Sequence, residues 1–276
     1  MLSTPLHHVL AVACAWLAIG ALGLVRAGSF GWATRVLYPA GALVGLGLAT
    51  IALLAIFEPA ATLVLPLGLP DLPFHARLDS LSAFFLLLLG AVSAGVSVYA
   101  GGYFRQAQGT APGLLCLYFH VFLASMALVM VADDAYFFMV AWETMALSSF
   151  FLVTCDHNQA EIRSAGYLYL LIAHIGAIAI LLCFGALQAG AGDYTFEHMR
   201  ALQPSAAWAT AAFLLALVGF GAKAGIVPLH VWLPEAHPAA PSPVSALLSA
   251  VMLKTAIYGL IRVTLDLIGS PLWWWG

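Results

Sequence analysis

A lysine lies inside an apolar run in the stretch Gly219-Phe-Gly-Ala-Lys-Ala-Gly-Ile-Val-Pro228. Three glycines and a proline flank Lys223, and proline removes a backbone donor and clashes with the preceding helical turn. Irregular backbone at membrane depth is tolerated only where protein buries it or where it lines a hydrated cavity. The stretch therefore predicts a broken membrane helix with a titratable lysine beside the break. The alternative is a proline kink that serves packing alone.

The composition requires a membrane. Of the 276 residues, 63% are hydrophobic and 8% are charged, whereas soluble domains carry about 25% charged residues. The mean hydropathy of +1.02 leaves too few polar side chains for a water-facing surface, so membrane lipid is the expected solvent. The net charge of -3 is small and argues against a nucleic-acid partner.

Apolar runs of about 20 residues, separated by charges and by Gly/Pro clusters, predict eight transmembrane helices. The predicted spans are residues 6–25, 36–57, 80–104, 113–132, 135–155, 164–188, 206–228 and 243–267. The Pro-rich segment 58–77 is expected to form a short external hairpin, and segment 229–243, with four prolines, a rigid non-helical connector. The predicted fold class is an all-α polytopic membrane protein with a single membrane domain.

The loop arginines indicate the orientation of the chain. The odd-numbered loops hold the arginines at positions 26, 35, 105 and 163, and the even-numbered loops hold those at 77 and 200. This bias favours odd loops in the cytoplasm and a periplasmic N-terminus. The first span lacks the features of a signal peptide, and no organellar targeting segment precedes it, which suits a bacterial inner membrane.

Ionisable residues inside the predicted spans are the candidate functional residues: Glu143, Lys223, Lys254, His174 and, less centrally, His120. A charge at a helix centre costs about 2.5–3.5 kcal/mol, so such groups persist only if they pair, lose their charge or face water. A buried lysine beside a buried carboxylate is a switchable proton site, because attraction holds the proton and separation releases it. The alternative is a static ion pair that fixes helix packing.

The segment after the break adds His230, Glu235 and His237, which either feed protons to the buried groups or satisfy one another by hydrogen bonds. The four cysteines stand singly, without a C-x-x-C pair or a Cys/His cluster. No iron–sulfur, zinc or other cofactor site is therefore predicted.

Residues 219–254 contain the run Lys-Ala-Gly-Ile-Val-Pro-Leu-His-Val-Trp-Leu-Pro-Glu-Ala-His-Pro and end at a second lysine. This run resembles the antiporter-like subunits of NADH:quinone oxidoreductase and their relatives, in particular the hydrogenase-4 and formate hydrogenlyase branch. Supporting matches are Trp142-Glu143-Thr-Met-Ala-Leu-Ser-Ser and Tyr169-Leu-Leu-Ile-Ala-His174. The likeness covers nearly the whole chain and is strongest after about residue 113.

The resemblance implies a proton-translocating membrane subunit with roles for individual residues. Glu143 matches the glutamate of the fifth helix and Lys223 the lysine of the broken seventh helix, which together form an ion pair that gates proton loading. His174 and Lys254 match groups that relay protons along the membrane midplane. Redox chemistry would lie on partner subunits of a hydrogenase or complex I-like assembly, so no redox centre is expected on this chain.

The resemblance also implies that the second half of the family's fold is absent. Family members have about fourteen helices in two inverted repeats, so residues 1–112 correspond to three preceding helices and residues 113–276 to the first repeat. The exit-side lysine or glutamate of the second repeat is missing. The chain alone is therefore not expected to pump, and it is expected to be a fragment or to require a second chain.

Two other functions remain open from the sequence. A subunit of a multisubunit Na+/H+ antiporter shares these motifs, and sodium-dependent transport without a redox substrate would distinguish it. A truncated, non-pumping membrane scaffold would keep its charges locked in pairs. The sequence does not indicate the electron donor or the direction of coupling.

Overall fold

Eight long apolar helices account for most of the computed structural model, which describes residues 4–104, 109–188, 190, 192–202 and 204–269. Each is long enough to cross a bilayer, which confirms the eight predicted spans and the polytopic helical fold class. In chain order, α1 to α8 are Pro5–Val25, Phe30–Ala55, Ser80–Tyr103, Pro112–Val131, Ala135–Val153, Ala160–Leu187, Ala206–Ala239 and Ser242–Leu267.

Some helix starts differ from the predicted ones. Arg35 and Arg163 were expected in loops, but α2 and α6 begin before them, so both lie within the first two helical turns. Both stay close to the same end of the bundle. Arg105, which was expected in a loop, and residues 272–276, at the end of the expected first repeat, lie outside the described residues.

The segment between α2 and α3 forms the predicted hairpin, with strands β1 (Ala61–Leu69) and β2 (Leu72–Leu78) paired antiparallel. The backbone N–H of Asp133 donates to the carbonyl of His75 at 2.8 Å. The backbone N–H of His75 donates to the carboxylate of Asp134 at 2.6 Å. These bonds pin the hairpin onto the turn between α4 and α5.

The helix α7 is interrupted where the sequence predicts a break. Its first part ends at Ala224, and Gly225 follows with a φ of +76°, a left-handed conformation that favours glycine. A 3₁₀ turn, Leu229–Trp232, leads into a second helical part, Leu233–Ala239. The break therefore lies directly after Lys223.

The prediction of a non-helical connector over 229–243 is wrong. The helix resumes at Leu233, and only residues 240–241 separate α7 from α8. Pro234 lies in the first turn of the resumed helix, where a missing N–H costs no hydrogen bond. The number of prolines in the segment therefore overestimated the disruption of the helix, because a proline in the first turn of a helix removes no hydrogen bond.

Close packing between α6 and α7 places the broken helix. A Cβ atom at Gly219 would lie 2.8 Å from the carbonyl oxygen of Gly176, too near for any side chain. The two backbones can therefore approach only because both positions are glycine. Lys223, one turn after Gly219, is thereby held against α6.

The helix α8 contains two π-helical turns, Leu248–Met252 and Arg262–Leu267. Such wider turns occur mostly as single bulges and are frequent at functional sites. The first of them lies directly before Lys254.

We expect Gly225→Ala to destabilise the protein by about 1–2 kcal/mol, because an alanine pays the left-handed penalty that glycine avoids. The measurement is the free energy of unfolding in detergent. Gly28→Ala is the control, since Gly28 has open space around its Cα and no positive φ. Equal effects of the two substitutions would contradict this account of the break.

Candidate functional site

Four ionisable side chains lie near the midpoints of four helices that pack in sequence order. Glu143 is in α5, His174 in α6, Lys223 in α7 and Lys254 in α8. The helix α6 packs against both α5 and α7, and α8 packs against α7. The predicted residues therefore lie near the midpoints of consecutive, mutually packed helices.

Glu143 and His174 form a contact between two neighbouring helices. Oε2 of Glu143 lies 3.5 Å from Nε2 of His174, and Nδ1 of His174 lies 2.9 Å from the carbonyl oxygen of Leu170. Because a carbonyl only accepts, Nδ1 carries a hydrogen. The ring nitrogen Nε2 therefore faces the carboxylate of Glu143. The two side chains remain 33% and 47% exposed on the outside of the bundle.

Lys223 is buried and bonded to a chain of hydroxyl groups. Its Nζ donates to the hydroxyl of Tyr169 at 2.5 Å and lies 4.5 Å from the centre of that ring. The Tyr169 hydroxyl lies 2.5 Å from Oγ of Ser149 in α5, which in turn donates to the carbonyl of Met145 at 2.7 Å. The chain runs from α7 through α6 to α5.

The direct Glu143–Lys223 ion pair that the resemblance implies is not formed in the described structure. Glu143 contacts His174, while Lys223 is satisfied by Tyr169. The two charges still act on each other electrostatically through the intervening protein. Tyr169 and Ser149 thus take the place of the direct contact that the resemblance implies.

Trp232 supports the break beside Lys223. Its indole N–H donates to the carbonyl of Ala222 at 2.8 Å, and its ring packs against Tyr169 with centroids 5.0 Å apart. The 3₁₀ turn after the break therefore braces both Lys223 and its hydroxyl partner. Sequence reasoning missed Trp232 because nothing in the spacing of residues shows that the chain folds back after the break.

Lys254 lies on the outside of the bundle, and Nζ donates to the carbonyl of Ser249 at 2.7 Å. The hydroxyl of Ser249 donates to the carbonyl of Ser245 at 2.9 Å, and the hydroxyl of Ser245 lies 2.7 Å from Nδ1 of His237. A ladder of polar groups therefore follows α8 from Lys254 to the end of α7.

The other predicted residues are more scattered. His230 is half-buried, and its buried Nδ1 has no hydrogen-bond partner among the described residues. Glu235 is exposed and lines a cavity of about 330 Å³ together with Glu161. His120 is fully buried between α2 and α4, where Nδ1 lies 2.9 Å from the carbonyl of Cys116. The structure thus separates His120 from the midpoint residues.

A second polar cluster lies at the opposite end of the bundle from His237, and sequence reasoning missed its central members. It alternates in charge in the order Asp133, Arg200, Asp266, Arg262, Asp79 and Arg77. The signal in the sequence was a charged pair four residues apart, Arg262 and Asp266, inside the last predicted span. The cluster joins the hairpin end, the loops and α8.

Arg262 is the best connected member of this alternating cluster. Its two terminal nitrogens donate to the carboxylate of Asp79 at 2.6 and 2.8 Å. Burial alone would raise the pKa of Asp79, but the hydrogen bonds and charge of Arg262, with the N–H of Ser82, hold it well below its usual range. The same carboxylate caps the start of α3.

No set of three or more His, Cys, Asp or Glu side chains is arranged to hold a metal ion in the part of the chain that the structure describes. The site thus consists of titratable side chains and hydroxyl groups.

An eight-helix bundle with a lysine-bearing broken helix and ionisable groups near the midpoints of four consecutive helices defines an antiporter-like membrane subunit. The chain belongs to the family described as NADH:quinone oxidoreductase/Mrp antiporter, transmembrane, whose sequence profile matches residues 132–275, just over half of the chain. This confirms the superfamily that the sequence motifs indicate.

Relatives and solved structures place the chain within this family. It is 42% identical to hydrogenase-4 component B of Escherichia coli over 82% of its own length and 33% of that protein. It is 30% identical to formate hydrogenlyase subunit 3 of the same organism over 73% of its length and 31% of the relative. The structure of the Mrp complex from Dietzia sp. superposes with a TM-score of 0.78 at 25% identity, over 96% of this chain and 29% of that one. The chain therefore spans about a third of the length of its relatives.

We expect Arg262→Gln to destabilise the protein by about 3–5 kcal/mol, because it leaves the largely buried Asp79 without its cation. Arg77→Gln is the matched control, since Arg77 contacts the same carboxylate at 3.4 Å from a partly exposed position, and its loss should cost about 1 kcal/mol or less. Thermal unfolding of both variants measures the difference.

The Asp79 carboxylate predicts that the stability of the protein depends on pH. A pKa depressed in the folded state contributes stability that is present above the unfolded carboxyl pKa of about 3.9 and is lost as the pH falls. Stability of the unmodified chain should drop below about pH 4, and Arg262→Gln should flatten that drop. An unchanged pH profile in the variant would show that Asp79 does not depend on Arg262.

Proposed function

We propose that the chain conducts protons as part of a membrane subunit of a redox-driven respiratory complex of the hydrogenase-4 or formate hydrogenlyase type. The single observation that carries the proposal is the contact between Glu143 and His174, two ionisable side chains whose facing atoms lie 3.5 Å apart near the midpoints of neighbouring helices. The relatives named hydrogenase-4 component B and formate hydrogenlyase subunit 3 support the choice of complex.

In this proposal Glu143 and His174 hold the proton that is about to move. Protonated Lys223 is attracted by the negative charge of Glu143, so neutralising the carboxylate weakens the hold on the ammonium. Because Lys223 donates to Tyr169, a proton can shift only when Lys223 and the hydroxyl groups reorient together. Tyr169 and Ser149 therefore act as positioning residues for Lys223.

Uptake from one side would use the polar ladder along α8. His237 lies at the end of the bundle that carries the odd-numbered loops, and serine groups connect it towards Lys254. Glu235 lies on the same resumed part of α7, and His230, whose Nδ1 has no hydrogen-bond partner among the described residues, lies in the 3₁₀ turn before it. We propose these three residues as uptake groups, and His120 as a separate buried group apart from the midpoint residues.

The exposed ionisable groups support a larger assembly. Glu143, His174 and Lys254 face outwards at mid-membrane, where lipid contact costs about 2.5–3.5 kcal/mol per charge. We propose that protein covers them, from further parts of the same subunit or from neighbouring membrane subunits. Residues 1–112 would be the preceding helices and residues 113–276 the first repeat, in a bacterial inner membrane with the N-terminus in the periplasm.

A subunit of a Na+/H+ antiporter is the second candidate. The likeness to the Mrp complex covers nearly all of this chain. The identity of 33% to a putative antiporter subunit of Staphylococcus epidermidis points the same way. Sodium-dependent transport without a redox substrate would favour it.

We expect Glu143→Gln and Lys223→Met, introduced into the full-length subunit, to leave the complex assembled and to abolish most of its proton translocation. Glu197→Gln is the matched control, because Glu197 is exposed in a short helix outside the spans. Proton movement into vesicles, normalised to electron transfer, is the measurement. Variants that assemble and pump normally would rule out the proposed roles, whereas variants that assemble poorly but leave coupling intact in whatever assembles would favour a scaffold.

We expect Tyr169→Phe to lower proton translocation by roughly tenfold while leaving assembly intact, because the variant loses a charge-assisted hydrogen bond of about 1.5–3 kcal/mol to Lys223. The ring contact with Trp232 is retained. A packing role alone would leave the rate and its pH profile unchanged.

A further inference from the structure

An open groove lies between α4, α5 and α6, close to the end of the bundle that carries Arg163. Its volume of about 510 Å³ falls in the usual range for small-molecule sites. Leu114, Tyr118, Phe151 and Leu170 form its walls, and the rings of Tyr118 and Phe151 stack with centroids 4.7 Å apart. The walls are therefore apolar and largely aromatic.

The mouth of the groove is cationic and held by the backbone. Nη1 of Arg163 donates to the carbonyls of His157 and Asn158 at 2.7 and 2.9 Å. Thr110 closes the rim by donating to the carbonyl of Cys155 from both its N–H and its hydroxyl. The guanidinium is thus fixed at the groove mouth by groups that carry no net charge.

No carboxylate among the described residues lies within ion-pair distance of Arg163, and the remaining residues of the chain include no Asp or Glu. The nearest acidic residues in sequence, Asp156 and Glu161, line other cavities. A fixed arginine with free donors at the membrane surface is suited to an anion such as phosphate.

The depth of the groove specifies the rest of the ligand. Arg163 lies in the first turn of α6, and Leu170 lies about 10 Å deeper along the same helix. The groove thus opens sideways into the hydrocarbon layer while its charge stays at the surface. Basic pockets between transmembrane helices on the cytoplasmic side bind anionic head groups in this way.

We propose that this groove binds one anionic phospholipid, with the phosphate on Arg163 and an acyl chain between Tyr118, Phe151 and Leu170. His157 lines the same mouth and contributes a second polar group beside the phosphate. The lipid fills a surface gap between α4, α5 and α6. Of these helices, α5 carries Glu143 and α6 carries His174.

The test uses the intact complex in phosphatidylcholine vesicles that contain phosphatidylglycerol with a photoreactive group on its acyl chain. We expect labelling at Leu114, Tyr118 and Phe151, and a loss of roughly tenfold or more in Arg163→Gln. Arg35→Gln is the matched control, because Arg35 is an exposed arginine near the same end of the bundle. Leu114→Trp, which fills the groove and keeps Arg163, should also abolish labelling.

Equal labelling of Arg163→Gln and Arg35→Gln would overturn the proposal, and so would equal labelling by a phosphatidylcholine probe. Competition by millimolar inorganic phosphate would show a site for a free anion and would also overturn it. If Arg163→Gln fails to assemble, labelling that persists in Leu114→Trp decides against the groove. This readout needs no proton movement, so it stands apart from the proposed transport function.

Discussion

Lipid cannot satisfy a charged or polar group, and the buried ammonium of Lys223 has to find every partner inside the protein. The break after Ala224 allows this, because the chain turns at Gly225 and brings Trp232 back onto Tyr169 and the carbonyl of Ala222. Tyr169 then accepts a hydrogen bond from Lys223, and its hydroxyl also lies within hydrogen-bond distance of Oγ of Ser149. The close contact between Gly176 of α6 and Gly219 of α7 brings Lys223 within reach of Tyr169.

The chain contains two kinds of polar cluster with different consequences. At one end of the bundle, three aspartates and three arginines alternate, and each charge is compensated by close neighbours. Such a network fixes the hairpin, the loops and the end of α8 to one another. Near the helix midpoints the one pair of opposite charges within ion-pair distance among the described residues is Glu143 and His174, at 3.5 Å, and Lys254 donates to a carbonyl. The midpoint groups are therefore held by fewer opposite charges than the groups of the first cluster.

The outward position of three mid-membrane groups is hard to reconcile with a chain surrounded by lipid. Glu143 is partly exposed, and His174 and Lys254 are exposed, on the surface of the described bundle. Because each exposed charge would be costly in hydrocarbon, contact with further protein would stabilise these side chains. The groove beside Arg163 differs from them, since its charge lies at the surface and its walls are apolar.

The sequence by itself determined the class of the protein, the eight spans, the hairpin and the break beside Lys223, because hydropathy, proline and glycine act locally along the chain. It also identified the midpoint residues, since an ionisable group within an apolar span is conspicuous without any structure. It could not assign partners: Tyr169, Ser149 and Trp232 meet Lys223 only after three helices pack, and no spacing rule gives that contact. The resumed helix after Leu233 and the Arg262–Asp79 pair were likewise decided by the tertiary structure, because hydrogen bonds between residues far apart in sequence depend on how the helices assemble.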